Sequence, residues 1–227
     1  MINIGGLPII LHIMKYYSFF GVKEFIICGG YKVENIKTFF LNLNNFVNDI
    51  EINYKNNQIK FLTKNNFDWN VKIINTGFDT MTGGRIKRVK KYLVNDENFY
   101  LTYGDGLSNV NINRLLKFHI KNKNYVTLTA VRPPARFGAI KIRGSRVNYF
   151  KEKSSLDEGW INGGFFVMEP KIFNFIRGDK TFLEREPLDI ISKKNKLGAF
   201  KHHGFWQCMD TIRDKEILEL AIKKKNL

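Results

Sequence analysis

The sequence has only two cysteines, Cys28 and Cys208, in 227 residues. They lie far apart and no basic-then-apolar secretory segment opens the chain, so we expect two separate thiols and no disulfide framework. No apolar run reaches the length of about 18 residues that a transmembrane helix needs. These absences favour a cytoplasmic protein without a membrane partner.

Acidic residues are also scarce, since 21 Asp and Glu face 37 Lys and Arg and give a formal net charge of +16. Such a surplus allows a nucleic-acid-binding function, which would show a steep dependence of binding on salt. However, the lysines are scattered and form only short clusters, such as Lys223 to Lys225. The charge pattern therefore argues against a nucleic-acid partner without excluding it.

Alternating apolar runs and amphipathic segments predict an α/β fold with right-handed crossovers and a mostly parallel, Rossmann-like sheet. We expect a single domain over 1–227, with a first half over 1–131 and a second half over 132–227 that begins after two prolines. The predicted strands cover 25–28, 71–74, 99–103, 126–131 and 165–168, with a hairpin over 139–143 and 147–150. The predicted helices cover 9–20, 33–43, 82–93, 112–120, 187–194 and 213–224.

The stretch Thr102-Tyr103-Gly104-Asp105-Gly106 carries the clearest chemical signal. An apolar strand ends there in one carboxylate held between two glycines, and open α/β sheets place ligands at the carboxyl ends of their strands. Carboxylate oxygens suit Mg²⁺ bound together with substrate phosphates. An ordinary turn with an Asx hydrogen bond explains the same five residues equally well.

Five stretches in a fixed order reach beyond this single motif. In order and spacing they resemble the sugar-phosphate nucleotidyltransferases, over nearly the whole chain from Gly5 to about Glu219. The two most specific stretches, Met81 to Arg85 and Phe205 to Thr211, are typical of the cytidylyl branch of that family. The stretches are 4–9, 75–77 with 81–88, 102–106, 136–139 with 150–153, and 160–166 with 205–211.

This resemblance implies a GT-A-like fold with a C-terminal sugar-binding subdomain, and CTP and glucose 1-phosphate as substrates. The implied reaction forms CDP-glucose and pyrophosphate for dideoxysugar and O-antigen biosynthesis. It also implies a homo-oligomer and Mg²⁺ as the cofactor. Transferases specific for UTP, dTTP or GTP stay open as alternatives, and so does a non-catalytic protein that only binds a sugar phosphate.

The resemblance assigns the metal to two carboxylates, Asp105 and Asp210. The metal must keep positions open for phosphate oxygens, so two ligands from distant parts of the chain suffice. Asp210 has a second interpretation, because an Asp-Thr pair before a helical segment is typical of a helix N-cap. Both interpretations can hold together.

The resemblance places the nucleotide against Thr76, Thr82, Gly83 and Gly104, where small residues would let the backbone reach the cytosine edge. A glycine turn and a helix cap explain the same residue types without a ligand. The basic residues that follow, at positions 85, 87 and 88, are interpreted as a solvated helix face.

The sugar phosphate is expected to bind Gly138, Glu152, Lys153, Asn162 and Gly163. Lys153 would act in catalysis by supplying positive charge to the phosphate, while Glu152 and Asn162 would bind sugar hydroxyls. A plain surface pair is the alternative for Glu152 and Lys153. Trp206 is interpreted as core, with a pocket wall as the alternative.

One expected element is absent from the sequence as given. The family begins with a strand, a loop of the form Gly-Gly-x-Gly-Thr-Arg-Leu and a Lys-Pro pair, which would lie before Met1. The resemblance therefore predicts that the first strand is missing, that two strand edges lack a partner, and that the chain is weakly active or inactive. Loss of one charge-stabilising donor costs about 10²–10³ in rate.

Overall fold

The structure is a computed structural model that describes residues 2–63, 65, 67–133, 139–151 and 159–224. Its α-helices are α1 (Ile9–Phe19), α2 (Val33–Leu41), α3 (Leu43–Val47), α4 (Thr82–Arg88), α5 (Ile112–Lys121), α6 (Glu186–Lys193) and α7 (Ile212–Lys223). Its strands are β1 (Asn3–Ile4), β2 (Leu7–Pro8), β3 (Glu24–Gly29), β4 (Ile50–Asn53), β5 (Gln58–Phe61), β6 (Asn70–Asn75), β7 (Phe99–Thr102), β8 (Gly106–Ser108), β9 (Val126–Val131), β10 (Ala139–Arg143), β11 (Arg146–Lys151), β12 (Ile161–Met168), β13 (Leu197–Lys201) and β14 (Trp206–Cys208).

The main sheet has the strand order β13-β9-β12-β7 and is mixed. Strand β13 runs parallel to β9, whereas β12 lies antiparallel between β9 and β7. The crossover from β7 through α5 to β9 leaves those two strands parallel to each other, as the predicted α/β pattern requires. The insertion of β12 makes the sheet less parallel than the sequence indicates, because a strand from the second half of the chain enters between two from the first.

A separate parallel pair, β3 and β6, carries the first crossover. Among the described residues β3 pairs only with β6, and β7 pairs only with β12. Each of these two strands therefore keeps one edge without a strand partner among the described residues, and the missing first strand stays a prediction.

The helices follow their apolar periodicity and their end signals. Helix α1 buries Ile9, Ile13 and Tyr17 on one side, at helical spacing. Helix α5 begins after Asn111, whose side chain accepts a hydrogen bond from the backbone of Arg114 at 2.8 Å. The described part of the chain contains no helix long and apolar enough to cross a membrane.

Two hydrophobic clusters form the core, and each takes residues from both sides of position 131. One joins Ile86 and Phe99 to β12 and α6, and the other joins α1 to Phe165 and Leu218. The proposed halves therefore share their cores rather than packing separately. The division of a single domain at residue 131 stays a prediction.

The sequence interpretation misses seven strands and one helix end. It gives no strand for β1, for β2, for either strand of the hairpin β4–β5, for β8, for β13 or for β14. The helix expected over 82–93 ends at Arg88 and continues only as a short 3₁₀ turn, Lys90–Tyr92. The backbone N–H of Val89 donates to the carbonyl of Ile86, three residues back, instead of to the carbonyl of Arg85, four residues back. This 3₁₀-type bond tightens the last turn of the helix and ends it.

Candidate active site

A short antiparallel ladder brings two distant carboxylates together. Strand β14 pairs with β8 so that Cys208 faces Gly106, and the backbone N–H of Met209 donates to the carbonyl of Asp105 at 2.8 Å. Asp105 lies one residue before β8 and Asp210 two residues after β14, and both line the same pocket. The expected pair of acids is thus assembled by backbone hydrogen bonds between the two halves of the sequence.

Thr211, and not Asp210, caps helix α7. The Thr211 side chain accepts from the backbone N–H of Asp214, and the Asp214 carboxylate accepts from the backbone N–H of Thr211 at 2.9 Å. This is a capping box. The N-cap interpretation of Asp210 is wrong, because the next residue fills that position, and the cap instead fixes the backbone that presents Asp210 to the pocket.

The electrostatics of the pocket disfavour additional negative charge. Burial raises the pKa of Asp105, and the nearby Asp210 carboxylate raises it further, against a lowering by a backbone hydrogen bond. Burial and a hydrogen bond to Asp210 raise the pKa of the Cys208 thiol to about 11, so the thiol stays protonated. Two carboxylates that repel each other in one pocket are well matched to a cation.

The pocket around the two acids has a volume of about 220 Å³. Its wall includes Trp206, whose indole N–H donates to the carbonyl of Gly163 at 2.7 Å. Trp206 also packs on the second hydrophobic cluster, so it serves as wall and as core together. The lining residues are Thr102, Tyr103, Asp105, Gly106, Asn162, Gly163, Gly164, Phe165, Trp206, Cys208 and Asp210.

Asn162 and Gly163 line this pocket, and the neighbouring backbone explains their position; their contact with a sugar phosphate stays a prediction. Gly164 has φ +77°, and a Cβ there would approach the Tyr103 ring to 2.7 Å, so only glycine fits. Its N–H donates to Asn162 Oδ1 at 2.9 Å, while Asn162 Nδ2 donates to the Tyr103 hydroxyl at 3.4 Å. The strand register also shifts between Asn162 and Phe166, which turns this end of β12 towards the pocket.

The predicted nucleotide residues divide into two groups. Gly104 lies between the pocket residues Tyr103 and Asp105. By contrast, the Thr76 hydroxyl is buried, where it donates to the carbonyl of Gly29 at 2.7 Å. Thr76 therefore supports the loop after β6, and its hydroxyl does not face the pocket.

Thr82 and Gly83, at the start of α4, pack against the loop before α6. The Thr82 hydroxyl donates to Glu184 at 2.6 Å and accepts from the backbone N–H of Leu183 at 2.9 Å. A Cβ on Gly83 would meet the carbonyl of Thr181 at 2.8 Å, so the glycine permits close packing of helix and loop. Contact of these residues with a base stays a prediction.

The basic residues of α4 do not form a simple solvated face. Arg85 donates to Thr76 Oγ1 at 2.8 Å and to the carbonyl of Gly29 at 3.2 Å. Lys87 donates to two backbone carbonyls after the β12 region, and Arg88 makes a two-bond ion pair with Asp179. The solvated-face interpretation is wrong for Arg85, which bonds to the buried Thr76, whereas Arg88 stays exposed beside Asp179.

Three predicted sugar-phosphate residues, Gly138, Glu152 and Lys153, lie outside the described residues. Their roles therefore stay predictions. The backbone of the hairpin β10–β11, which they flank, is described and pairs with a register shift between Lys141 and Ile142.

The described residues fit a divalent cation that is shared with a ligand. No cluster of three or more His, Cys, Asp or Glu side chains occurs in the described ranges that could hold a metal alone. Two carboxylates are available, however, and Mg²⁺ is commonly bound by one or two carboxylates plus substrate phosphates and water. The mutual charge of Asp105 and Asp210 supplies the physical reason for a cation at this place.

The sequence interpretation missed Glu184 and Tyr103 as parts of the site. The Tyr103 hydroxyl donates to Glu184 Oε1 at 2.5 Å. Tyr103 stands next to the Gly-Asp-Gly motif, so its position in the sequence could have indicated it. Glu184 lies in the loop between a second 3₁₀ turn, Pro170–Phe175, and α6, where no spacing signal marks it.

A family model described as Nucleotidyl transferase matches residues 1–211 of the chain. The chain therefore belongs to the nucleotidyl transferase family. This confirms both the resemblance drawn from the sequence and the expected fold class.

Individual relatives show which members of this family the chain resembles. The chain is 46% identical to the glucose-1-phosphate cytidylyltransferase of Salmonella typhimurium over 219 residues, which cover 96% of this chain and 85% of that protein. It is 40% identical to the probable glucose-1-phosphate cytidylyltransferase of Bacillus subtilis, with 96% and 84% covered. A guanylyltransferase for D-glycero-alpha-D-manno-heptose 1-phosphate from Aneurinibacillus thermoaerophilus is 31% identical, with 82% and 74% covered.

Solved structures share the fold at lower identity. HddC from Yersinia pseudotuberculosis has a TM-score of 0.69 at 22% identity, with 98% of this chain and 88% of that chain covered. A UDP-glucose pyrophosphorylase complexed with UDP-glucose has a TM-score of 0.67 at 14% identity, with 99% and 90% covered. These neighbours support the fold alone.

Proposed function

We propose that this chain transfers a cytidylyl group from CTP to α-D-glucose 1-phosphate, giving CDP-glucose and pyrophosphate. The observation that carries the proposal is the ladder between β8 and β14, which joins Asp105 and Asp210 in one pocket. The similarity to glucose-1-phosphate cytidylyltransferases over 96% of the chain supports the choice of substrates.

In this reaction a phosphate oxygen of the sugar phosphate attacks the α-phosphorus of CTP, and pyrophosphate leaves. Such phosphoryl transfer needs positioning and neutralisation of charge rather than a covalent enzyme intermediate. Asp105 and Asp210 would hold the cofactor Mg²⁺, which when bound supplies positive charge to the phosphates. The partly buried ladder keeps the two carboxylates in place before the ligands arrive.

The remaining residues would position the two substrates. Asn162 and Gly163 would contact the sugar, and Trp206 would close the pocket behind them, as its bond to the Gly163 carbonyl suggests. Glu152 would bind a sugar hydroxyl, Lys153 would neutralise the sugar's phosphate, and Gly138 would border the same subsite.

The nucleotide would approach from the side of Gly104 and the start of α4. Contacts of cytosine with Thr82 and Gly83 would use backbone groups, because the Thr82 hydroxyl is already bonded to Glu184 and Leu183. Thr76 would act indirectly, by shaping the loop that follows β6.

A panel of nucleotides tests the substrate assignment. The protein would be incubated with Mg²⁺, glucose 1-phosphate and CTP, UTP, dTTP or GTP in turn, and pyrophosphate and nucleotide sugar would be measured. The proposal expects CDP-glucose from CTP and at least about tenfold less product from the other nucleotides. If another nucleotide is turned over faster than CTP, that nucleotide is the substrate instead of CTP. If the protein binds the sugar phosphate without turning over any nucleotide, it is a non-catalytic binder.

We also propose that the chain is a cytoplasmic homo-oligomer. Ile50, Ile52, Ile59 and Phe61 share one face of the hairpin β4–β5, and their side chains are 37–58% exposed. A two-stranded hairpin is marginal alone in water, so this apolar face needs a cover. A second copy suits it, because residues 33–63 carry three lysines and three acidic residues and are neutral within a chain of net charge +16.

A further inference from the structure

Glu184 joins two parts of the site that the sequence keeps far apart. Its Oε1 accepts a hydrogen bond from the Tyr103 hydroxyl at 2.5 Å, and its Oε2 accepts one from the Thr82 hydroxyl at 2.6 Å. Tyr103 lines the pocket, whereas Thr82 begins helix α4. One exposed carboxylate therefore connects the pocket wall with the helix on the expected nucleotide side.

An ionised carboxylate only accepts hydrogen bonds, and this sets the direction of the next bond. The Tyr103 hydroxyl has one hydrogen, which it gives to Glu184, so its oxygen is left to accept from Asn162 Nδ2 at 3.4 Å. Asn162 Oδ1 is meanwhile occupied by the N–H of Gly164 at 2.9 Å. Both ends of the Asn162 amide are thereby oriented.

This orientation determines what Asn162 offers to a ligand. An amide nitrogen carries two hydrogens, and the bond to Tyr103 uses one of them. The second hydrogen on Asn162 Nδ2 can donate to a ligand, because Asn162 lines the pocket. A sugar hydroxyl or phosphate oxygen is the kind of acceptor that such a donor binds.

We propose that Glu184 is a positioning residue that acts through Tyr103 to hold Asn162 as a hydrogen-bond donor to the sugar phosphate. The inference rests on the proposed function, since it names the sugar-phosphate side of that same pocket. The loop that carries Glu184 is anchored independently of that side chain, because the backbone N–H of Met81 donates to the Asp179 carbonyl at 2.8 Å and Arg88 pairs with Asp179. The loop therefore stays in place when the Glu184 carboxylate is removed.

Steady-state kinetics of Glu184→Met test the positioning role. We expect KM for glucose 1-phosphate to rise about 2- to 10-fold, the value of one hydrogen bond. Tyr103→Phe keeps the bond between Glu184 and Thr82, so it is expected to raise this KM likewise while KM for CTP stays nearly unchanged. The double variant is expected to raise KM for glucose 1-phosphate no further, because both changes break one chain of contacts. Glu184→Gln is expected to recover part of the loss, since its carbonyl can still accept from Tyr103.

Glu186→Met is the matched control, because Glu186 is a neighbouring carboxylate that pairs with Arg177 at 2.6 Å, away from this chain of contacts. The side-chain amide resonance of Asn162, assigned by NMR with an Asn162→Asp sample, is expected to move in Glu184→Met and in Tyr103→Phe but not in the control. This readout does not depend on turnover.

The outcomes separate the inference from the proposed function. An unchanged Asn162 resonance in Glu184→Met, or an unchanged KM for glucose 1-phosphate in an active enzyme, overturns the positioning role. A wild-type protein that makes no nucleotide sugar, while the Asn162 resonance still moves in Glu184→Met, overturns the proposed function and leaves the chain of contacts supported.

Discussion

The backbone N–H of Met209 donates a hydrogen bond to the carbonyl oxygen of Asp105 at 2.8 Å. This bond extends the ladder between β8 and β14 to the residues that flank the pocket. It places Asp105 and Asp210 side by side although they come from opposite halves of the chain. The chemistry proposed for the protein depends on this contact between its two halves.

Asp105→Asn is expected to remove activity and to stabilise the fold at neutral pH. The folded-state pKa of Asp105 is raised above the ordinary value of 3.8, chiefly by burial and then by Asp210. Ionisation therefore costs stability, and the cost is complete above the raised pKa and absent below 3.8. We expect a higher Tm at pH 7 without metal, and a fall of at least about 10²-fold in pyrophosphate release.

The exposed Asp189, which pairs with Lys193 within α6, provides the control for that change. Asp189→Asn should leave both the Tm and the rate close to those of the wild type. A lower Tm for Asp105→Asn would show that its carboxylate stabilises the fold, and would contradict the electrostatic account of the pocket.

Trp206→Phe is expected to weaken sugar-phosphate binding. The change removes the 2.7 Å bond to the Gly163 carbonyl but keeps an aromatic ring, at a stability cost of about 1 kcal/mol. Trp69→Phe is a matched control, because it removes a 3.0 Å bond to the Ser18 hydroxyl outside the pocket. Calorimetric titration with glucose 1-phosphate should show weaker binding only for Trp206→Phe. Equal binding by both variants would contradict the role of Trp206 as a wall of the sugar-phosphate pocket.

Stability is expected to fall in mild acid because of His119. Its side chain is 1% exposed and contacts Thr127 Oγ1 at 2.9 Å, and burial lowers its pKa, with Glu169 opposing the shift. The unfolded chain binds the proton first, so stability is lost as the pH falls below the ordinary value of 6.5 towards the lower folded pKa.

Urea unfolding between pH 8 and pH 5 measures this effect as the difference between wild type and His119→Gln. The comparison also separates His119 from His12 and His202, whose pKa values burial lowers too. A pH dependence that is equally steep in His119→Gln would assign the acid sensitivity to other groups.

The apolar face of the hairpin β4–β5 is expected to bind a second copy of the chain. Ile52 and Ile59 are paired across the ladder, and the double substitution Ile52→Lys and Ile59→Lys should shift sedimentation towards the monomer. The control double substitution, Asn53→Lys and Gln58→Lys, adds the same charge on the opposite face of the hairpin and should leave the assembly intact. If both pairs act equally, or neither acts, the interface lies elsewhere.

The sequence predicted elements whose signals are local. The apolar periodicity of α1 and the short β-branched run of β9 placed both elements within one or two residues of their ends. Family resemblance paired Asp105 with Asp210, which no local pattern could have done. The three-residue strands β8 and β14 are too short to show periodicity, so the ladder that joins the two acids was missed.

Side-chain contacts were less predictable than the backbone. Arg85 was expected in solvent, but tertiary packing turns it to Thr76 and Gly29. Glu184 acquires its role only because its loop packs on α4, which is a contact between distant residues. Antiparallel insertion of β12 was missed for the same reason, since a buried apolar run does not reveal its direction.

Calorimetric titration with CDP-glucose, with and without Mg²⁺, tests the central claim most directly, because it requires binding but no turnover. The account predicts binding that is strengthened by Mg²⁺, and loss of that strengthening in Asp105→Asn and in Asp210→Asn but not in Asp189→Asn. Binding that ignores Mg²⁺, or a Mg²⁺ effect that survives both substitutions, would contradict a shared cation site between Asp105 and Asp210.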